Sequence, residues 1–335
     1  MTDLAVVAGL ICVDLFPALD QPVDLQPGNL TEVGALSTRL GGCVANTGGT
    51  LAHLGIPVSL QGCVGDDWLG QVATDLARQI PAAEQLIEPR TGATTSYSLV
   101  IEPPGTDRAF WHHPGANGCF DPATVDLTNA RLVHVGYPPL LAACLEDGGA
   151  QLAGLFVRAL RAGITTSIDL AVAGSNMATG VNWDKWLAAL GPVTSLVSPS
   201  RDDLVSMLDS AATLSAKELA WRLIADGFAV AMVTDGPRGL YLATADGARL
   251  LGAGKLLAAV ASTWANTGMW LPAHPVTRIV TTNGAGDAAT AGLLAALWHG
   301  LGPNLAAQAA AGVAAQHLTG HPVNLDRALE GAITE

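Results

Sequence analysis

The sequence predicts a three-layer αβα fold with a mainly parallel central sheet, helices on both faces, and a small β lid. Three observations carry this. Short β-branched runs alternate with longer Ala/Leu-rich stretches of helical period along most of the 335 residues. That is the pattern of strand–helix units feeding a parallel sheet. Half of the residues are hydrophobic, enough for a sizeable core. Two stretches, 17–38 and 91–117, break the alternation with Pro, Gly, Thr and polar residues. No internal repeat, low-complexity tract or Pro/Ser linker separates the parts. Residues 1–335 are therefore read as a single domain, with the lid formed from parts of 17–38 and 91–117.

The elements follow in order. Strands are expected at 4–8, 58–61, 132–135, 165–168, 195–197, 229–233 and 278–281. The first lies in the apolar run LAVVAGLICV, which lacks the basic flank and cleavage site of a signal sequence and reads as a core strand. Apolar helix faces are marked by Val44, Thr47, Leu51 and Leu54, by Trp68, Val72 and Leu76, and by Leu152, Leu155 and Leu160. The helix over 288–298 is apolar all round, so burial is expected. In the second excursion an alternating strand, TTSYSLVIE, meets a turn, PPGTD, and then RAFWHH. The adjacent His112 and His113 project to opposite faces of such a strand, which argues for a lid position over a metal pair. A two-stranded apolar flap is marginal alone, so a homodimer joined lid to lid is expected.

Charge narrows the partners. With 29 acidic and 16 basic residues, net −13, nucleic acid and anionic membranes are excluded as partners. No apolar stretch reaches membrane-spanning length. Five cysteines without a C-x-x-C pair read as reduced, mostly buried thiols, and a cytoplasmic location is expected. Only three lysines occur, Lys185, Lys217 and Lys255. Phosphate handling must therefore lean on backbone N–H groups, arginines or a metal ion.

The chemistry concentrates in VTTNGAGDAATAG, residues 280–292. A glycine-rich turn opening a helix favours anions, yet this one carries Asp287. A P-loop at GAGK, 252–255, fails because Leu256 stands where Ser or Thr is needed and Arg249 where the first glycine belongs. A dinucleotide fingerprint at 284–289 lacks the acidic residue expected about twenty positions on. Phosphoryl transfer accounts for the carboxylate. The N–H groups of Gly284, Ala285 and Gly286 would stabilise the phosphoryl in transit, and Asp287 would take the proton of the incoming hydroxyl. The competing reading makes Asp287 a helix N-cap.

The same stretch resembles the C-terminal signature of the ribokinase-like carbohydrate kinases, the PfkB family, whose usual form is D-T-x-G-A-G-D-x-F-x-x-G. GGCVANTGGTLAHLG, residues 41–55, resembles the family's N-terminal signature. GCVGDDWLG (62–70), PGAN (114–117), SPSRDD (198–203) and VTDGPRG (233–239) follow in the family's order. The resemblance spans essentially the whole chain and implies ATP-dependent phosphorylation of a small acceptor. It implies that Asp14 grips acceptor hydroxyls, that Gly41 and Gly42 let backbone approach the acceptor, and that Asn46 contacts another hydroxyl. It implies that Thr234 and Gly236 lie beside the triphosphate. Ser200 and Asp203 stand where the family has Asn and Glu, with Asp203 acting on Mg²⁺ through water. The adenine would lie between the loop near 266–275 and the helix near 307–316. Thr281 replaces the Asp that helps hold a monovalent cation, so potassium activation is not expected.

Residues 1–118 hold four basic residues, Arg39, Arg78, Arg90 and Arg108. A sugar-phosphate acceptor normally needs a bidentate Arg or a Lys cluster, so a neutral sugar is preferred. Phe16, Tyr97, Phe110 and Trp111 could stack on a base, which keeps a nucleoside acceptor open. A non-catalytic sugar- or nucleotide-binding protein is the remaining alternative, and the intact Gly284–Asp287 turn argues against it.

Overall fold

The computed structural model describes residues 3–330 except 22, 24, 25, 104–108 and 173–179. The turn read at 103–107, Pro103 apart, and Arg108 lie outside the described residues. In chain order the strands are β1 (Leu4–Gly9), β2 (Cys12–Pro17), β3 (Leu36–Gly41), β4 (Val58–Gly65), β5 (Ala83–Arg90), β6 (Tyr97–Ile101), β7 (Ala109–His113), β8 (Ala130–Gly136), β9 (Thr165–Asp169), β10 (Leu196–Val197), β11 (Val230–Thr234), β12 (Leu240–Thr244) and β13 (Gly268–Leu271).

Among the described residues a nine-stranded sheet runs β13–β12–β11–β10–β9–β8–β1–β4–β5. Neighbours from β11 to β5 are parallel, and β12 is antiparallel to both β11 and β13. The inner strands are buried on both faces, and β1 and β11 accordingly read as nearly continuous apolar runs, whereas β9 is buried with polar residues. In β1, Ala5 and Val7 join one core while Val6 and Ala8 join the other. Helices Cys43–His53, Gly254–Trp264, Ala285–Trp298 and Pro303–Leu318 cover the first face. Helices Ala150–Arg161, Trp183–Leu190, Arg201–Met207 and Ala216–Ala225 cover the second. The result is the three-layer ribokinase-like αβα architecture.

A second sheet, β3–β2–β6–β7, stands apart. β2 pairs antiparallel with β3 and parallel with β6, and β6 pairs antiparallel with β7. Its first two strands lie at the borders of the 17–38 excursion, and the described residues between them form no strand.

Three local expectations need correction. Residues 278–281 are not a strand: Val280 N–H donates to Leu318 O at 2.7 Å, and Ile279 and Val280 lie on the surface. Their β-branched character misled because they run along a helix end instead of a ladder. The helix Trp68–Ala77 buries Leu69, Ala73 and Ala77, while Trp68 is 68% exposed. Its phase is set by Asp67, which caps it through Gly70 N–H at 2.9 Å. Strand β5 was missed because AEQLIEPR is a polar edge strand with alternating burial.

Candidate active site

The C-terminal ends of the parallel strands face one side, where ligands bind in open α/β sheets. Tyr137 follows β8, Asp169 ends β9, and Thr234 ends β11. The turn before the buried helix Ala285–Trp298 projects into the same region. Gly284 is the helix N-cap, with φ 83°, a left-handed conformation suited to glycine. No side chain caps this helix, so the N-cap reading of Asp287 does not hold. A Cβ added at Gly286 would meet nothing within 4 Å, so the turn borders open space there. Ala285 N–H makes only a long contact, 3.4 Å, to Thr282 O.

Asp287 is 2% exposed and accepts three hydrogen bonds. Thr47 Oγ1 donates to Oδ1 at 2.8 Å, Asn46 Nδ2 donates to Oδ2 at 3.2 Å, and the Tyr137 hydroxyl donates to Oδ2. Burial pushes its carboxyl above the usual range, and these donors together with nearby His317 oppose the rise. Asn46 and Thr47 reach it from the first turns of the helix Cys43–His53, so the two glycine-rich signatures meet at this carboxylate. Tyr137 holds a left-handed backbone, φ 58°, unusual for a bulky residue and frequent at functional sites.

Asp14, on β2 and 5% exposed, forms the other half. Its Oδ1 accepts from Cys12 Sγ at 3.3 Å and its Oδ2 from Asn283 Nδ2 at 3.4 Å. Burial raises its pKa; hydrogen bonds from Cys12, Ser98 and Asn283 and the charge of Arg39 oppose that. The strand start is clamped by Asn117 of PGAN, whose Nδ2 donates to Ile11 O at 3.0 Å and whose Oδ1 accepts from Ile11 N at 3.2 Å. Gly41 and Gly42 are closely approached by the protein itself. A Cβ at Gly41 would stand 2.4 Å from Asp14 Oδ2, and one at Gly42, φ 83°, would stand 2.3 Å from Leu10 O. Both glycines make room for protein atoms of the site.

Ser200 and Asp203 form a capping box at the helix Arg201–Met207. Ser200 N–H donates to Asp203 Oδ2 at 2.7 Å, and Asp203 N–H to Ser200 Oγ at 3.0 Å. Thr234 N–H donates to Pro199 O at 3.0 Å, holding the two segments side by side. Ser200, Thr234, Gly236 and Arg238 line a shallow cleft of about 140 Å³. The charges of Asp203 and Asp287 interact, and both act on Asp169, whose carboxyl burial already pushes well up. Sequence reasoning missed Thr47, Tyr137, Asp169, Asn283 and His317 as site residues. Asn283 and Thr47 lay inside quoted motifs, whereas nothing local marked Tyr137 or Asp169 beyond their places at strand ends.

Of the arginines in residues 1–118, Arg78 pairs with Asp75 and Arg90 with Glu88, each at 2.7 Å. Arg39 alone among the described ones acts on Asp14.

The described helices include none long and apolar enough to cross a membrane. Ribokinase of Arabidopsis thaliana, complexed with ribose and ATP, superposes with a TM-score of 0.73 at 17% identity over 100% of both chains. A PfkB protein from Polaromonas sp. JS666 gives 0.72 at 19% identity, covering 96% of this chain and 98% of that one. Adenosine kinase of Sinorhizobium meliloti gives 0.70 at 18%, covering 97% and 96%. The profile of the pfkB family carbohydrate kinases matches residues 1–326. With two signatures meeting at one buried carboxylate on a ribokinase-like fold, this chain belongs to the pfkB family and is a carbohydrate kinase.

Proposed function

We propose that the protein transfers the γ-phosphoryl group of ATP to a hydroxyl of a small neutral sugar, with Asp287 as general base. The observation that carries this is the buried Asp287 carboxylate at the open glycine turn. The acceptor oxygen attacks the γ-phosphorus as its proton passes to Asp287. The new O–P bond forms as the bond to the β–γ bridging oxygen breaks, and ADP departs. N–H groups of Gly284, Ala285 and Gly286 stabilise charge on the transferring group. Asp14 and Asn46 orient the acceptor, which converts the reaction to one within a complex. Thr234, Gly236 and Ser200 flank the triphosphate.

Mg²⁺ carried on the nucleotide suits the same corner. Asp203, with Asp169 beside it, offers the hard oxygen donors this ion takes. Burial raises both carboxyls, and repulsion adds to it, from Asp287 and Asp203 on Asp169 and from Asp202 and Asp287 on Asp203; a divalent cation would offset that crowded charge. Among the described residues no three ligands are preassembled, in keeping with an ion that retains waters and substrate phosphates. When bound, it neutralises charge on the phosphates. Potassium is not part of the proposal, since Thr281 stands where the family has the Asp that helps hold a monovalent cation.

A neutral acceptor is favoured because the described arginines do not converge on Asp14. The aromatic platform for a nucleoside divides by register: Phe16 and Phe110 share the face of Asp14, while Tyr97 and Trp111 lie on the reverse. ADP release with Mg²⁺–ATP and single acceptors (D-ribose, D-fructose, adenosine) tests the reading. ATP turnover that no acceptor stimulates would return the binding-protein alternative.

Tyr137→Phe gives a finer test. The Tyr137 hydroxyl draws the Asp287 pKa down, so its loss raises that pKa further. A base works only when deprotonated, so the acid limb of the kcat/KM profile moves to higher pH. An unmoved limb would separate Tyr137 from the base.

Lid-to-lid dimerisation remains part of the proposal. Leu36, Tyr97 and Trp111 are 57%, 37% and 49% exposed, and a dimer would cover them. Sedimentation at micromolar concentration should give the dimer mass, and clean monomers would remove this element. A cytoplasmic location accompanies the reading.

A further inference from the structure

The small sheet holds a row of polar side chains of which the mechanism above assigns only Asp14. Arg39, Asp14, Ser98 and His112 stand directly opposite one another across β3, β2, β6 and β7. Opposed residues on neighbouring strands project to the same face. Asp14 identifies that face, because its Oδ2 receives the Asn283 amide from the turn leading to Asp287. His112 therefore looks toward the proposed acceptor, and His113 looks away.

Asp14 sets the polarity of this row. An ionised Asp14 can only accept, and the Ser98 hydroxyl beside it helps to hold its pKa down. Ser98 Oγ lies 3.1 Å from His112 Nδ1, and the pull of the Asp14 carboxylate on the Ser98 proton favours Nδ1 as the donor of that pair. Burial and the adjacent His113 lower the His112 pKa, keeping the ring neutral. A neutral imidazole protonated on Nδ1 carries its lone pair on Nε2. That nitrogen is buried and has no hydrogen-bond partner among the described residues. Such a group is costly unless a ligand supplies a donor.

We propose that His112 Nε2 is a specificity-determining contact for the phosphoryl acceptor, taking a hydrogen bond from one of its O–H or N–H groups. This rests on reading the Asp14 face as the acceptor site. Asp14 and His112 then present two hydrogen-bond acceptors to the ligand. A donor-rich neutral polyol satisfies both. A carboxylate or phosphate at the same place supplies no proton and is rejected. An analogue lacking the matching hydroxyl leaves Nε2 unpaired and is discriminated against more strongly than a change of apolar shape would allow.

Two measurements test this. In ¹⁵N-histidine-labelled protein, His112 is expected as the Nδ1–H tautomer, with an Nε2 resonance that moves on adding D-ribose, D-fructose or adenosine. A proton resident on Nε2, or a resonance that none of the three moves, overturns the proposal. In steady-state assays with the responding acceptor, His112→Leu should raise the acceptor KM about 3- to 10-fold for one lost hydrogen bond. The ATP KM and kcat should change far less. His112→Gln, whose amide oxygen can stand near the Nε2 position, should recover most of the loss. An acceptor KM unchanged in His112→Leu while Asp14→Ala raises it defeats the His112 contact alone. If Asp14→Ala also leaves it unchanged, the acceptor-site reading itself has failed.

Discussion

Asp287→Asn is expected to lower kcat by about 10²–10⁴, the range general-base catalysis supplies, while the protein stays folded. Asparagine is nearly isosteric. Its carbonyl oxygen can still accept from one of Thr47, Asn46 and Tyr137, which reach the carboxylate now. The helix does not depend on the residue for capping, since Gly284 is the N-cap. A carboxyl whose pKa is raised by burial weakens folding at any pH where it is ionised. Removing that charge should leave the melting temperature unchanged or raise it. ATP affinity should hold or improve, because a negative charge beside the γ-phosphate has gone. Measured together, kcat, ATP Kd and Tm separate a lost base from a damaged fold. Retention of more than about a tenth of wild-type kcat would rule out an essential base, given that magnitude.

Asp14→Ala should raise the acceptor KM with little change in that for ATP. Hydrogen bonds to a charged group contribute about 1.5–3 kcal/mol, or on the order of 10- to 100-fold in KM. Asp14 lies on the small sheet, and among the described residues its hydrogen bond toward the 284–287 turn comes from Asn283 at 3.4 Å, so the proposed nucleotide half should be little affected. Melting temperature is a needed companion measurement, because the Cys12 thiol and Ser98 lose a buried acceptor. A KM change confined to ATP would mean that the two substrate sites have been exchanged in the reading.

Much of the candidate site was legible because its parts sit in short motifs whose local chemistry is distinctive. Gly284 must adopt φ 83° at a helix start, and glycine is the residue that does so without strain. Asp287 three residues later is anomalous for a resting anion site, which is what made it informative. Ser200 and Asp203 show the opposite case: the residues stand where the family pattern puts them, but each side chain accepts from the other's backbone N–H as a cap. Spacing alone cannot tell a capping box from a pair of ligand contacts, because both use Ser and an acid three residues apart.

The period of the apolar runs determined the parallel sheet and its two layers of helices, since strands buried on both faces leave a continuous hydrophobic signature. The glycine turns and Asp287 were likewise determined locally, by backbone geometry and charge. Only the tertiary structure decided that Tyr137 reaches Asp287 across 150 residues, and that Asn46 and Thr47 reach it across 241 and 240. It also decided that Ser98 and His112 share the face of Asp14. Those relations depend on which strand ends lie side by side and on strand register, where a slip of one residue turns every side chain to the other face. They are properties of long-range packing, to which no local pattern in the chain responds.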